Sequence, residues 1–233
     1  MPRQTRRPRK ARADAVHTGI RVGLRAVPLI GGLASELFQT IIAPPLEKRR
    51  EEWMEWIDKS VRELQTGRGL KVDDLLSNDA FIDTVVQATQ IAMRTSHSET
   101  RAALRNAILN SALPSSIDES LQHMFIEFID AFIIWHLKIL KLFADPSDWY
   151  AKAGRKYPGM APSAIYEFIE ATFPELKGRR SFYEQVWRDL YTRGLVNSES
   201  LSSVAMDQAF LARKPSEMGI QFLEFVAEPQ PKS

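Results

Sequence analysis

The histidines are the side chains of this sequence best suited to acid–base or metal chemistry. The four are His17, His97, His123 and His136. His123 and Glu127 are spaced to share one helix face, but a zinc site needs three or four ligands. The 13 positions from His123 to His136 turn an ideal helix by about 220°, so these two rings would face different ways. We therefore interpret the histidines as structural or exposed.

Other catalytic signals are missing as well. The chain has no cysteine, which excludes disulfides, thiolate metal ligands and thiol nucleophiles and agrees with a reducing, cytosolic setting. Motifs for phosphate loops, dinucleotide binding, zinc proteases and serine hydrolases do not occur. The acidic pairs Asp73-Asp74 and Glu51-Glu52 read as solvated charges near helix starts. The sequence predicts a protein that is not an enzyme and binds no cofactor, metal or small-molecule substrate, unless the fold assembles an active site from dispersed residues.

Length and composition are those of a globular protein. The 233 residues are 44% hydrophobic and 26% charged, which allows one large domain or two small ones with a buried core. Extensive disorder is excluded by these values. Fold class must therefore come from the pattern along the chain.

Charge is distributed unevenly. Residues 1–25 carry eight basic groups and one acid, a net charge of +7, whereas the remaining 208 residues carry 23 basic and 28 acidic groups, a net −5. The first 13 residues have almost nothing apolar to fold around, so we expect a disordered basic arm. Such an arm either binds a polyanion, nucleic acid or anionic lipid, or is a solvated tail. The candidate polyanion-binding residues are Arg6, Arg7, Arg9, Lys10 and Arg12.

An apolar segment follows, from Ala26 to Leu46. Its length approaches that of a transmembrane helix, but Glu36 and several glycines and prolines interrupt it. We predict two helices, over 14–27 and 33–43, forming a buried hairpin. The alternative is a segment that enters a membrane surface beside the basic arm, with Leu29, Ile30, Leu33, Leu37, Phe38 and Ile41 as candidate membrane residues.

The next part has helical periodicity. A charge-dense helix is predicted over 46–64, ending at Thr66-Gly67. Asn78 and Ser98 are expected to cap the two helices that follow. Ser116, with Glu119 three residues later, is typical of a capping box that opens another helix.

That last helix, predicted over 117–143, is the most apolar in the chain. Apolar residues cover most of its circumference, which indicates a central position in a bundle or a membrane span. Charged residues interrupt every apolar run in it, so we predict the central helix of a bundle.

The pattern changes after residues 146–160, which read as a connector. Helices are predicted over 162–173 and 181–193, followed by a two-stranded wing within 201–211 and a last apolar element over 218–226. This order is that of a winged helix.

A winged helix can bind DNA or protein, and fold alone does not decide between them. A DNA reader would present arginine or amide side chains from its second helix and a basic wing. Here the charges are mixed, and a protein-binding module is equally consistent with them. The candidate contact residues are Arg179, Arg180, Arg188 and Arg193.

Several stretches resemble a family of uncharacterised bacterial helical proteins. The stretches are the Gly31-Gly32 apolar segment, PPLEKRREEW, TQIAMRTSHSETRAALRNAILN and LYTRGLV…MGIQFLEFV. The resemblance covers most of the chain apart from the arm and implies a helical body with a winged-helix-like tail. It carries no established activity, ligand or catalytic residue. Related architectures suggest, by analogy, a role in bacterial stress or phage defence.

The predicted fold is mainly α, a multi-helix bundle followed by a small winged-helix-like α+β module. Its parts are a basic arm (1–13), a helical bundle (14–145), a connector (146–160), a winged-helix-like domain (161–228) and a tail (229–233). We expect a cytoplasmic interaction or regulatory protein, peripheral at the membrane, with a protein partner. A secretory signal is not expected, because Arg21 and Arg25 interrupt the apolar stretch; an arginine-rich presequence stays open. The alternative function is a DNA-binding transcriptional regulator.

Overall fold

A computed structural model describes residues 43–113, 117–159, 163–205, 207–212 and 214–229. The chain divides into two compact units, residues 1–48 and 49–233. The first unit is described only from residue 43 onward. The fold is therefore that of the second unit. The predicted helix over 14–27 lies outside the described residues, as does all but the last residue of the predicted helix over 33–43.

The described residues are mainly helical, as predicted. The helices are α1 (Ala43–Arg68), α2 (Val72–Leu76), α3 (Asp79–Arg94), α4 (Ser98–Ser111), α5 (Glu119–Ala131), α6 (Ile134–Ala144), α7 (Pro146–Lys152), α8 (Ile165–Thr172), α9 (Arg180–Thr192), α10 (Asp207–Phe210) and α11 (Glu217–Phe225). A 3-10 turn spans Pro174–Leu176, and two short strands are β1 (Ser163–Ala164) and β2 (Val204–Ala205).

α1 is longer than the predicted helix over 46–64. It continues through Gly67 and ends before Gly69, whose φ of +67° is the left-handed conformation that commonly terminates helices. Trp53 and Leu64 are buried on one side of α1, as its apolar spacing predicts.

The predicted helix caps have different outcomes. Asn78 caps α3, because its side-chain oxygen accepts the backbone N–H of Phe81 at 3.0 Å, and this prediction is confirmed. Ser98 lies within the first turn of α4 rather than before it, so its predicted capping role is wrong. α5 begins after Asp118, whose carboxylate accepts a backbone N–H at 3.1 Å. The predicted cap of that helix, Ser116, lies outside the described residues.

The apolar segment predicted as one helix over 117–143 is two helices. Phe132 and Ile133, between α5 and α6, are both extended, with ψ of 137° and 166°. Neither proline nor glycine occupies this break, so tertiary contacts must hold it. Sequence periodicity misses the break because the apolar pattern runs through it unchanged.

Aromatic side chains from both halves of the chain share one core. The rings of Phe125 and Phe222 lie 5.4 Å apart between α5 and α11. Phe143 on α6 contacts Trp187 at 5.1 Å and Phe168 at 5.7 Å between ring centres. The central position predicted for residues 117–143 is confirmed by Phe125 and Phe143, which are fully buried.

Polar contacts also join the two halves. On α4, the side-chain amide of Asn106 donates to the Val226 carbonyl at 2.9 Å, and that of Asn110 donates to the Phe225 carbonyl at 2.8 Å. Residues 49–233 accordingly form one compact unit. The structure does not separate the predicted bundle (14–145) from the predicted module (161–228), because α11 packs on helices of the bundle.

The predicted winged-helix arrangement is not confirmed. Part of the predicted wing, 201–211, forms β2, which pairs antiparallel with β1 rather than with a neighbouring strand of its own hairpin. The rest includes α10. Phe210, which ends α10, is fully buried 5.3 Å from the ring of Phe168, and this contact draws the segment onto the core.

Candidate functional site

The N-terminal candidate residues cannot be placed. The predicted polyanion-binding and membrane residues all precede residue 43 and lie outside the described residues, as does His17. The candidate residues that the structure does place belong to α9 and its surroundings.

α9 turns one face to the core and one to solvent. Tyr183, Val186, Trp187 and Leu190 are buried at helical spacing. On the other side, five exposed residues form what we call the α9 surface: Arg179, Arg180, Gln185, Arg188 and Tyr191. Arginine and tyrosine are enriched where proteins contact partners, and arginine also binds phosphate.

Two of these arginines stack on aromatic rings at the start of α9. The guanidinium carbon of Arg179 lies 4.3 Å from the ring centre of Phe182, and that of Arg180 lies 4.0 Å from Tyr166. Arg180 also donates to the Glu184 carboxylate at 2.7 Å, which offsets its charge. Hydrogen bonding to Glu184 raises the pKa of Arg180. The charge of Arg180 is thus paired with a carboxylate, whereas Arg179 has no carboxylate contact in the described part of the chain.

The remaining two arginines differ from each other. Arg188 is exposed and contacts only the Gln185 side chain, at 3.5 Å, among the described residues. Arg193 turns inward, with its guanidinium 5.4 Å from the ring centres of both Phe128 and Phe132. Arg193 is half-buried with its guanidinium against two phenyl rings, and its predicted contact role stays a prediction. Its Nε is buried without a hydrogen-bond partner.

His136 lies beneath α9 and is the most constrained histidine that the structure describes. Its side chain is 5% exposed, and Nε2 is 3.3 Å from the Asp189 carboxylate on α9. Nδ1 accepts the backbone N–H of Ile133 at 3.1 Å, at the break between α5 and α6. The ring stacks on Phe132 with 4.4 Å between centres and 5° between planes.

These contacts can be satisfied by a neutral His136 ring, although Nδ1 also lies 3.3 Å from the Ile133 carbonyl oxygen. A neutral ring with its proton on Nε2 donates to Asp189 and accepts from Ile133, satisfying both nitrogens. Burial lowers the pKa of His136 and outweighs the hydrogen bonds with Asp189 and the Ile133 backbone, which raise it, while Arg193 adds a smaller lowering effect. The interpretation of this histidine as structural agrees with its geometry, but its partner on α9 could not be predicted from the sequence.

His123 lies at a shallow groove of about 340 Å³ between α3 and α5. Nδ1 is 2.9 Å from the Gln87 amide nitrogen, and Nε2 is 3.5 Å from the Glu127 carboxylate, the pair that helical spacing predicts. Both ring nitrogens are thus in contact with neighbouring side chains. His97 is exposed before α4.

A further cationic cluster joins α1 to α4. The guanidinium of Arg105 lies over the indoles of Trp53 and Trp56, at 5.9 and 5.1 Å from the ring centres. Burial, followed by repulsion from Arg101, lowers the pKa of Arg105. Arg101 is 3.7 Å from Glu52, so the cluster is partly neutralised and reads as interhelical packing.

Within the described ranges, no three acidic or histidine side chains come together as metal ligands. Over the same residues, none of the helices combines the length and apolar character that a bilayer span requires. The chain matches no family model, no curated protein and no solved structure. The resemblance to bacterial helical proteins therefore stays a prediction.

Proposed function

We propose that this chain is a non-enzymatic interaction protein that contacts an anionic membrane surface through its basic arm and residues 26–46. The observation that carries the proposal is the charge distribution, +7 in residues 1–25 against −5 in the rest. The body is net acidic and repels an anionic surface, so attraction must come from the arm. The apolar residues after the arm would then add contact with the acyl region.

Liposome flotation tests this proposal with full-length protein. One variant changes Arg6, Arg7, Arg9, Lys10 and Arg12 to glutamine. Each basic residue near a membrane contributes about 1 kcal/mol, so loss of five weakens binding by between three and four orders of magnitude, at about 1.4 kcal/mol for each tenfold. We expect the wild type to float with phosphatidylserine vesicles but not with phosphatidylcholine vesicles, and the variant to stay at the bottom of both gradients.

A matched control separates the arm from net charge. Changing Arg50, Lys59, Lys71, Lys156 and Lys177 to glutamine removes the same five charges from exposed positions of the body. This control should float like the wild type. Equal recovery of the wild type and the arm variant in the bottom fraction would refute membrane contact, and equal loss in both variants would refute a specific role for the arm.

A second candidate function, DNA binding with a winged-helix-like C-terminal half, has one specific observation in its favour. Arg179 and Arg188 are exposed without a carboxylate contact in the described part of the chain.

Fluorescence anisotropy with a labelled duplex at several salt concentrations tests this second function. Neutralising Arg179 and Arg188 to glutamine should reduce the slope of log K against log salt by about 2 if both contact phosphate. Arg50→Gln with Lys71→Gln, on other elements, should leave the slope unchanged. Absence of binding to any duplex at low salt would remove this candidate.

A further inference from the structure

The break between α5 and α6 depends on a histidine ring. Phe132 and Ile133 are extended although neither is proline or glycine, and Ile133 donates its backbone N–H to His136 Nδ1 at 3.1 Å. The Ile133 carbonyl accepts the His136 backbone N–H at 3.0 Å. His136 therefore closes the first turn of α6 from both its main chain and its side chain.

The same ring ties this break to α9. His136 Nε2 lies 3.3 Å from one oxygen of Asp189, whose other oxygen accepts the Gln185 amide at 2.7 Å. Gln185 belongs to the α9 surface and contacts Arg188. A line of polar contacts therefore runs from the α5–α6 break to the exposed side of α9.

We propose that His136 is a pH-sensitive latch that holds the α5–α6 junction closed when neutral and releases it when protonated. A proton taken from solvent at Nδ1 converts an acceptor into a donor, so the Ile133 N–H loses its partner. The Ile133 carbonyl, 3.3 Å from Nδ1, can accept the new proton and offsets part of that loss. The added positive charge also lies at the N-terminus of α6, where the helix dipole disfavours it. The latch goes beyond the proposed membrane and DNA functions and depends on neither.

The charged neighbours of the ring decide the direction of the effect. Among the described residues, Asp189 and Arg193 are the charged groups acting on His136, and both come from α9. The rings packed against it, including Phe132, are uncharged. Asp189 favours the protonated form but is 39% exposed and shared with Gln185, whereas burial and Arg193 disfavour it. The net direction is a lowered pKa.

The pH dependence follows from this direction. In the open junction His136 meets water and has its ordinary pKa, about 6.5. In the closed junction its pKa is lower, so the closed form is favoured above pH 6.5 and loses that advantage as pH falls toward the lower value. The closed-to-open equilibrium shifts by about tenfold for each pH unit between the two pKa values.

Hydrogen exchange between pH 5 and 8, corrected for the intrinsic pH dependence of exchange, tests the latch. In the wild type, amides of residues 132–137 should keep constant protection above about pH 6.5. Below it they should lose about tenfold protection for each pH unit of the fall, until the lower pKa is reached. His136→Gln removes the titrating group and should abolish this pH dependence. His123→Gln, at an exposed histidine, should retain it.

A second measurement keeps the proposal falsifiable if His136→Gln does not fold. The His136 imidazole is followed by NMR titration of the wild-type protein, and we expect it to titrate below about 6.5. Titration at or above that value would overturn the latch. Wild-type protection of residues 132–137 that is independent of pH, or His136→Gln with wild-type pH dependence, would overturn it too.

Discussion

Replacing Asn110 by alanine removes the amide that holds the end of α11 to α4. The Asn110 side-chain nitrogen lies 3.1, 2.8 and 2.9 Å from the carbonyl oxygens of Glu224, Phe225 and Ala227. Two hydrogens on that nitrogen can serve two of these carbonyls at once. The Glu224 and Phe225 carbonyls belong to the last turn of α11, where intrahelical donors run out, and the Glu224 carbonyl also accepts the Ala227 backbone N–H at 3.3 Å.

The expected loss follows from counting these bonds. Each net hydrogen bond contributes about 0.5–1.5 kcal/mol, so two bonds contribute about 1–3 kcal/mol. Glu224 and Ala227 are exposed residues, and water can replace part of the interaction, which places the expected loss near 1–2 kcal/mol. For a protein of this size that corresponds to a fall in melting temperature of roughly 3–6 °C.

Urea unfolding followed by circular dichroism and tryptophan fluorescence measures the change. Gln90→Ala, at an exposed helical amide on α3, is the control and should stay within about 0.5 kcal/mol of the wild type. A loss below about 0.5 kcal/mol in Asn110→Ala would refute the role of this amide. Two separate transitions, only one of which shifts, would refute the single compact unit of residues 49–233.

Three further changes test the packing of α11 and the helical assignment of α1. Gly219→Ala should destabilise the protein by about 3 kcal/mol or more in the same assay, because the new methyl group would overlap the Leu195 carbonyl oxygen, a backbone atom that cannot rotate away. Gly67→Ala, in a helical position with open space around it, should instead stabilise by about 0.5–1 kcal/mol, and a loss there would contradict the helical assignment. Phe222→Ala should cost about 3–5 kcal/mol, since its ring is fully buried; a loss under 1 kcal/mol would contradict that burial.

The sequence predicted structural features correctly where they depend on contacts between residues close together in the chain. Asn78 caps α3 because its side-chain oxygen lies directly before the helix, where it can accept a hydrogen bond from an unpaired backbone amide of the first turn. The break at Phe132–Ile133 had no such local signal. It depends on contacts with α9, which lies more than 50 residues away in sequence, and periodicity within one segment carries no information about them.

Domain organisation was harder to predict for a related reason. The connector over 146–160 has the proline and glycine content of a linker, and its local pattern is compatible with two domains. What joins the halves is a set of distant contacts, such as Phe125 with Phe222 and Asn110 with the end of α11. These pairs are separated by about a hundred residues, so no spacing rule connects them.

The arrangement of side chains around α9 was partly predictable. Helical geometry alone indicates which arginines lie on the buried side of the helix and which lie on the solvent side. Arg193 follows the buried Val186 by seven positions, a rotation of about −20°, which places it on the buried side of the helix. Arg188 follows Val186 by two positions, about 200° away, and lies on the solvent side. The pairing of His136 with Asp189 had no comparable signal: Asp189 stands one position from Arg188, and only the packing of α6 against α9 brings its carboxylate to the ring. The side of α9 on which a residue lies can therefore be predicted from its spacing along that helix. Its contacts with other helices cannot, which is why the His136 latch could be proposed only from the structure.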